Sequence, residues 1–198
     1  MPNPDTELDR LLAEVRACRH CAAALPHGPR PVLQVHRAAR LRIIGQAPGR
    51  KVHQSGVPWD DASGRRLRDW LGLTPVQFYD PAKVALIPMG FCYPGKAPSG
   101  DLPPRAECAP LWHERLNAHL DDVALTLLVG HYAQRYYLAA HRKPTLRDNV
   151  AAWREYLPLG YLPLPHPSPR NQAWLERHPW FEGEVLPVLR KAIRALKL

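Results

Sequence analysis

Leu41-Arg42-Ile43-Ile44-Gly45-Gln46-Ala47-Pro48-Gly49 is the stretch that decides the fold, because a short apolar run ends there in a polar turn. The arrangement recurs near the other end of the chain, where residues 159–165 precede His166-Pro167-Ser168-Pro169-Arg170-Asn171. Apolar runs of this length, bounded by glycine and proline, predict buried strands. Ligands of open α/β sheets bind beyond the carboxyl ends of the strands. The two turns therefore predict one site assembled from distant segments.

The rest of the chain alternates strand and helix patterns. We expect strands near 41–44, 83–88, 124–129 and 160–164, and helices near 5–22, 63–71, 105–119, 130–141, 149–156 and 171–196. Ser63 is the expected N-cap of the second helix, and the last helical region should break near Pro179 and Pro187. This alternation predicts an α/β fold with a mostly parallel four-stranded sheet and helices on both faces. One domain is expected over residues 1–198, with a cysteine-bearing N-terminal helix over 5–22.

Composition limits the class of protein. The chain has 198 residues, of which 45% are hydrophobic, as in folded rather than disordered proteins. It has no apolar stretch near the roughly 18 residues needed to span a membrane, and its N-terminus does not resemble a signal peptide. A cytoplasmic location is the default expectation. The net charge of +9 fits either a solvated basic surface or a polyanionic partner, most simply nucleic acid, and charge alone does not distinguish nucleic acid from a ribosome or a membrane surface.

Four cysteines form two spaced pairs, Cys18 with Cys21 and Cys92 with Cys108. A cytoplasmic setting disfavours disulfides, so a metal site is the better interpretation. Four thiolates can bind zinc or an iron–sulfur cluster, and the spacing does not choose between them. The alternative is a pair at a helix end together with two core thiols.

Three segments together resemble the uracil-DNA glycosylase superfamily. They are Gly45-Gln46-Ala47-Pro48-Gly49, the stretch Ser55-Gly56-Val57-Pro58-Trp59-Asp60-Asp61-Ala62-Ser63-Gly64, and His166-Pro167-Ser168-Pro169-Arg170-Asn171. The first resembles the water-activating motif, and the last resembles the HPSPxx motif. The cysteine spacing is similar to that of the iron–sulfur branch, family 4, which implies a [4Fe–4S] cluster at Cys18, Cys21, Cys92 and Cys108. Zn²⁺ is the alternative metal. The resemblance implies a three-layer αβα sandwich that acts on DNA.

The resemblance also implies a reaction, the hydrolysis of the bond between uracil and deoxyribose, which leaves an abasic site. The base must first be extruded from the DNA into a pocket. Trp59 stands where the family places a stacking aromatic residue, although a core role is the alternative. His166 matches the histidine that stabilises the departing uracil. The implied catalytic set is Gln46, Asp61 and His166, and the implied base-binding set is Gly45, Ala47, Gly49, Trp59, Asp60 and Met89.

Ala47 departs from the best-known form of the first motif, which has aspartate there. Asp61-Ala62-Ser63-Gly64 resembles the segment that supplies the carboxylate in the broad-specificity family 5 branch. Asp61 is therefore the expected water-positioning carboxylate, with Asp60 as its rival. The alternative is that these residues only cap a helix. Gly49 replaces the bulky residue that excludes thymine, and Val52 or His53 are the residues that would otherwise fill the space.

The remaining expectations concern DNA. Arg170 matches the residue inserted into the gap left by the extruded base, and the full implied DNA-binding set is Ser168, Arg170, Asn171, Lys96 and His131. His131 begins a helix whose amides can bind phosphate. The expected partner is DNA that contains uracil or abasic sites, bound by a monomer in the cytoplasm at the nucleoid. The alternative function is a catalytically weak protein that binds uracil-containing or abasic DNA on the same fold.

Overall fold

The computed structural model describes residues 4–198, so the first three residues of the expected domain lie outside it. The strands are β1 (Leu41–Ile44), β2 (Val84–Leu86), β3 (Lys96–Ala97), β4 (Gly100–Asp101), β5 (Leu125–Val129) and β6 (Tyr161–Leu164). The main sheet has the order β2-β1-β5-β6, and every neighbouring pair in it is parallel. This confirms the expected parallel four-stranded sheet. β3 and β4 form a separate antiparallel hairpin.

Ten α-helices surround the sheet in the described part of the chain. They are α1 (Pro4–Arg16), α2 (Arg50–Ser55), α3 (Ala62–Leu71), α4 (Pro75–Phe78), α5 (Cys108–Asn117), α6 (His131–Leu138), α7 (Leu146–Ala151), α8 (Trp153–Tyr156), α9 (Gln172–Arg177) and α10 (Leu186–Ala195). A π-helical turn, Phe181–Val185, leads directly into α10. The expected break near Pro179 is present, whereas Pro187 lies within the first turn of α10, where a proline is tolerated.

The two faces of the sheet bury separate apolar clusters because successive strand residues point to opposite sides. Ile43 belongs to the cluster under α3, α9 and α10, and Ile44 belongs to the cluster under α1, α5 and α6. Residues 127 and 128 of β5 divide in the same way. Helices therefore cover both faces, which confirms the α/β fold with three layers.

The N-terminal helix ends earlier than expected. α1 ends at Arg16, so Cys18 and Cys21 lie in the turns that follow it and not on the predicted helix 5–22. Val15 is the last buried residue of α1. Arg19 donates hydrogen bonds to the carbonyls of Ala17 and Cys18, which satisfies acceptors at the helix end.

The start of α3 corrects a second expectation. Asp61, and not Ser63, is the N-cap, since its side chain accepts a hydrogen bond from the Gly64 amide. Ser63 is a buried residue of the first turn. α2 and the β3–β4 hairpin lie in segments for which the sequence pattern predicts neither helix nor strand. None of the described helices is long and apolar enough to cross a membrane.

Candidate active site

A cavity of about 290 Å³ opens beyond the carboxyl ends of β1 and β6, two strands that flank β5 in the sheet. Such a volume is close to the lower end of ligand-binding cavities, roughly 300 Å³. The two motif turns, which begin at Gly45 and at His166, both line it, as the strand pattern predicts. Its lining residues are Val32, Gly45, Gln46, Ala47, Pro48, Gly49, Val52, Pro58, Trp59, Asp61, Ser63, Pro88, Asp101, His166, Ser168 and Arg170.

The turn after β1 contributes backbone and open space. The carbonyls of Gly45 and Gln46 accept hydrogen bonds from the amides of Met89 and Gly90, both at 2.9 Å. These bonds tie the ends of β1 and β2 together. Ala47 brings only a methyl group to the cavity, where the best-known form of the motif has a carboxylate.

Trp59 packs edge-on against this turn. A β-carbon at Gly45 would lie 2.8 Å from Cζ2 of Trp59, so the ring can approach only because residue 45 is glycine. The backbone φ of Trp59 is 59°, a left-handed conformation that is rare for a bulky residue and costs about 1–3 kcal/mol. Its carbonyl oxygen accepts a hydrogen bond from the Tyr79 hydroxyl at 3.4 Å. Trp59 thus contacts the core and also lines the cavity.

Gly64 makes this conformation possible. A β-carbon at residue 64 would lie only 1.7 Å from the Trp59 carbonyl oxygen, which no side chain can tolerate. Residue 64 of the Asp61-Ala62-Ser63-Gly64 segment is therefore glycine because only glycine fits against the Trp59 carbonyl.

The two carboxylate oxygens of Asp61 have different surroundings, one at the start of α3 and the other at the cavity. Its Oδ1 accepts the Gly64 amide hydrogen at 2.8 Å, and its Oδ2 points toward the first turn, 3.9 Å from the position of a β-carbon at residue 49. Asp60, the rival carboxylate, is exposed and does not line the cavity. The geometry therefore brings Asp61 into the site and leaves Asp60 outside.

His166 is stacked on Trp59, with ring centroids 5.8 Å apart and an interplanar angle of 29°. Its Nδ1 accepts a hydrogen bond from the Ser168 amide at 3.2 Å. Because Nδ1 accepts, the ring proton is assigned to Nε2. Burial lowers the pKa of His166 to about 4, against a smaller opposing effect of Asp61. The ring is therefore a neutral hydrogen-bond donor at neutral pH.

Hydrogen bonds within the His166–Asn171 turn stabilise its conformation. Asn171 donates from its amide to the His166 carbonyl at 2.7 Å, and the Arg170 amide donates to the Ser168 hydroxyl at 3.3 Å. Asn171 does not line the cavity, so its observed contact is structural. Arg170 is exposed beside the hairpin, where its Nη1 lies 2.7 Å from the position of a β-carbon at Gly100.

Three other predicted residues lie away from the cavity. Met89 is 7% exposed and packs in the core under α1 and α5, and the neighbouring Pro88 lines the cavity in its place. Lys96 is exposed on β3. His131 is exposed at the first position of α6, and the preceding Gly130 lies against His166.

Asp101 is the main residue that the sequence analysis missed. It lines the cavity from the end of β4, and its Oδ2 lies 3.5 Å from the position of a β-carbon at Gly49. Its one sequence signal is that it is the sole acidic residue between Asp80 and Glu107. Val52 lines the cavity too, whereas the His53 ring lies tilted against the rings of His27 and Tyr93.

The four cysteines line a second cavity, formed by the turns after α1, the loop after β2 and the start of α5. The other lining side chains are largely apolar, with Arg105 as the cation. Burial raises the pKa of Cys92 to about 11 and that of Cys108 to about 12. The Phe91 amide donates to Sγ of Cys108 at 3.3 Å.

This donor set fits a soft metal centre, because four thiols line one largely apolar cavity and thiolates are the ligands that zinc and iron–sulfur clusters take. Within residues 4–198, no group of three or more His, Cys, Asp or Glu side chains is arranged to hold a metal ion. The cysteines share a cavity without forming an assembled ligand set, and the metal centre stays a prediction.

A comparison with protein families agrees with this geometry. Residues 34–190 match the family model for the uracil DNA glycosylase superfamily. The match begins before β1, ends within α10 and includes both motif turns. Since it covers well over half of the chain, the protein belongs to the uracil DNA glycosylase superfamily.

Proposed function

We propose that this protein is a monofunctional DNA glycosylase that hydrolyses the N-glycosidic bond of uracil in DNA and leaves an abasic site. Other deaminated bases are further candidate substrates. The observation that carries the proposal is the neutral His166 donor, which faces the same cavity as Trp59 and the Asp61 carboxylate.

Binding begins with extrusion of the base, since the glycosidic bond is out of reach inside a duplex. The cavity accepts the base, and Trp59 provides an aromatic surface at its wall. Arg170 is exposed at the mouth of the cavity, where a long cationic side chain can enter the gap in the base stack. The net charge of +9 favours the approach of DNA.

Departure of uracil places negative charge on the base. A hydrogen-bond donor directed at that charge is worth about 2.7–4 kcal/mol in a water-excluded site. His166 supplies the donor through Nε2, and the Ser168 amide holds the ring in the required tautomer. Because the ring is neutral, it stabilises the anion without transferring a proton.

The sugar becomes cationic in the same step. Asp61 presents Oδ2 to the cavity, so its negative charge can stabilise the cation and orient the attacking water. The turn Gly45–Gly49 supplies backbone groups and space for the base. With a glycine at residue 49, the site lacks a bulky side chain against substituents of the base.

The cysteines fit a [4Fe–4S] cluster held by Cys18, Cys21, Cys92 and Cys108, with Zn²⁺ as the alternative. When bound, such a cluster would cross-link the turns after α1 to the loop after β2 and to α5. We further propose that the chain acts as a single domain and as a monomer on cytoplasmic, nucleoid DNA.

A second candidate is a catalytically weak protein that binds uracil-containing or abasic DNA. It is favoured by Ala47, and by the engagement of Asp61 Oδ1 in the helix cap. Ala47 leaves the turn after β1 without a carboxylate, and the helix cap occupies one oxygen of the carboxylate that would replace it.

One experiment separates the two candidates. Single-turnover release of uracil from single-stranded and duplex DNA is measured for the wild type and for Asp61→Asn, Asp60→Asn and His166→Ala, with binding measured in parallel by gel shift. Asp69→Asn, an exposed carboxylate on α3, is the charge-matched control. Release that is lost in Asp61→Asn and His166→Ala alone supports the glycosylase. Tight binding without release by the wild type supports the binding protein.

A further inference from the structure

Two carboxylates face one small space in the cavity. Oδ2 of Asp101 and Oδ2 of Asp61 lie 3.5 Å and 3.9 Å from the same point, the position of a β-carbon at Gly49. The two carboxylates belong to different elements, since Asp101 is the last residue of β4 and Asp61 is the N-cap of α3. The proposed chemistry so far uses only Asp61.

Each carboxylate is anchored through its other oxygen. Oδ1 of Asp61 accepts the Gly64 amide hydrogen at 2.8 Å, and Oδ1 of Asp101 accepts the Tyr93 hydroxyl hydrogen at 3.4 Å. Tyr93 is itself fixed, because it is 2% exposed and stacks on His27 at 5.3 Å. Both Oδ2 atoms are thereby directed toward the space at Gly49.

The space exists because residue 49 has no side chain, and the backbone does not require glycine there. Its φ of −80° and ψ of 174° are extended values that any residue adopts. A side chain would instead contact both carboxylates. The glycine therefore leaves open, beside Asp61 and Asp101, part of a cavity that is large enough to hold water.

Asp101 also lies at the level of the cavity where the sugar of a bound nucleotide would be. It is exposed while it lines the cavity, which places it at the mouth. When a base enters the cavity, its sugar stays at the mouth, because it remains bonded to the DNA backbone. A group that acts on C1′ must therefore lie at this level.

We propose that Asp101 is a second catalytic carboxylate, which holds the attacking water together with Asp61. The water donates one hydrogen to each Oδ2 and directs a lone pair at C1′. Its oxygen bonds to C1′ while the C1′–N bond breaks, and the bonding electron pair leaves with the base, whose charge His166 stabilises. One water proton passes to a carboxylate and then to solvent, and the base anion takes up a proton from solvent. This inference rests on the proposed glycosylase function.

The first test is Asp101→Asn in single-turnover release of uracil from single-stranded DNA. An amide accepts more weakly than a carboxylate and cannot take the proton, so we expect a loss of about 10²-fold in the rate. Binding to DNA that carries a 2′-fluorinated deoxyuridine, which resists cleavage, should stay within threefold of the wild type. Asp69→Asn removes the same charge outside the cavity and should leave the rate unchanged.

Gly49→Ala tests the space without altering either carboxylate. The methyl group would contact both Oδ2 atoms and take the place of the water beside them, so the rate should fall as far as in Asp101→Asn. The double variant should be no slower than the slower single variant, because both changes remove one water. Gly49→Ala also tests the proposal by itself if thermal unfolding shows that Asp101→Asn does not fold.

The outcomes are distinguishable. Absence of uracil release by the wild type contradicts the proposed function and this inference with it. Release by the wild type that stays within threefold in Asp101→Asn, or losses that multiply in the double variant, overturns the inference and leaves the glycosylase standing.

Discussion

Removal of the His166 imidazole should slow uracil release by about 10²–10³-fold, the loss seen when one donor to a developing anion is deleted. The structure supports this magnitude for two reasons. The ring lies in the cavity with Nδ1 occupied by the Ser168 amide, which leaves Nε2–H as the donor. Burial also lowers the pKa of His166 to about 4, so the donor is neutral at pH 7.

The assay is single-turnover release with the enzyme in excess, followed by alkaline cleavage of the abasic product. His166→Ala deletes the donor, and His166→Gln restores a neutral N–H of similar reach. We expect the glutamine variant to recover at least tenfold over alanine. Thermal unfolding of both variants controls for the lost stacking against Trp59.

The pH profile tests the charge of the ring. A neutral donor with a pKa of about 4 should produce no inflection between pH 5.5 and 8. A cationic imidazolium would instead make the rate rise as the pH falls through about 6.5. Such a rise, absent in His166→Ala, would refute the reasoning, as would an alanine variant within fivefold of the wild type.

Three further predictions concern stability and the metal. Burial lowers the pKa of His113 to about 4, so below pH 6.5 the unfolded chain binds a proton that the folded chain does not. His113 alone should therefore lower the stability by about 2 kcal/mol between pH 7 and pH 5, in addition to a similar loss from His166, whose pKa is also about 4. His113→Gln should remove its own share of that slope in urea titrations. Gly64→Ala should cost about 3 kcal/mol, because the methyl group meets the Trp59 carbonyl, whereas Gly183→Ala, which meets nothing within 4 Å, should be near neutral. Anaerobically purified protein should absorb near about 400 nm and lose this band in Cys108→Ser, whereas a colourless zinc-bound protein would contradict the cluster.

The strands were predictable because each is a short apolar run closed by glycine, proline or a polar turn. All four strands of the main sheet lie within two residues of their expected bounds. α2 was missed because Val52 is its single buried residue, so the segment has no apolar periodicity. The β3–β4 hairpin was missed because its strands are two residues long, too short for an alternating pattern.

The cavity residues that could be predicted are those that belong to short, contiguous sequence motifs. His166 and Asp61 stand in recognisable segments, and the parallel sheet brings them together. Asp101 was not predictable, because its place depends on Tyr93 and on a hairpin that packs beside Arg170. Whether Asp61 or Ser63 caps α3 could not be predicted from the sequence either, because aspartate and serine are both good N-cap residues.

The two interpretations of Asp61 make different predictions for one substitution. Asparagine caps a helix about as well as aspartate does, so Asp61→Asn keeps the acceptor for the Gly64 amide and should leave the unfolding free energy nearly unchanged. It removes the charge at Oδ2, the atom that faces the cavity. If Asp61 only caps α3, the variant stays active, and if it stabilises the sugar cation, the variant folds normally and loses release. On the second interpretation the cap assists the chemistry, because Oδ1 is held by the Gly64 amide and Oδ2 is thereby ordered beside the cavity before substrate binds.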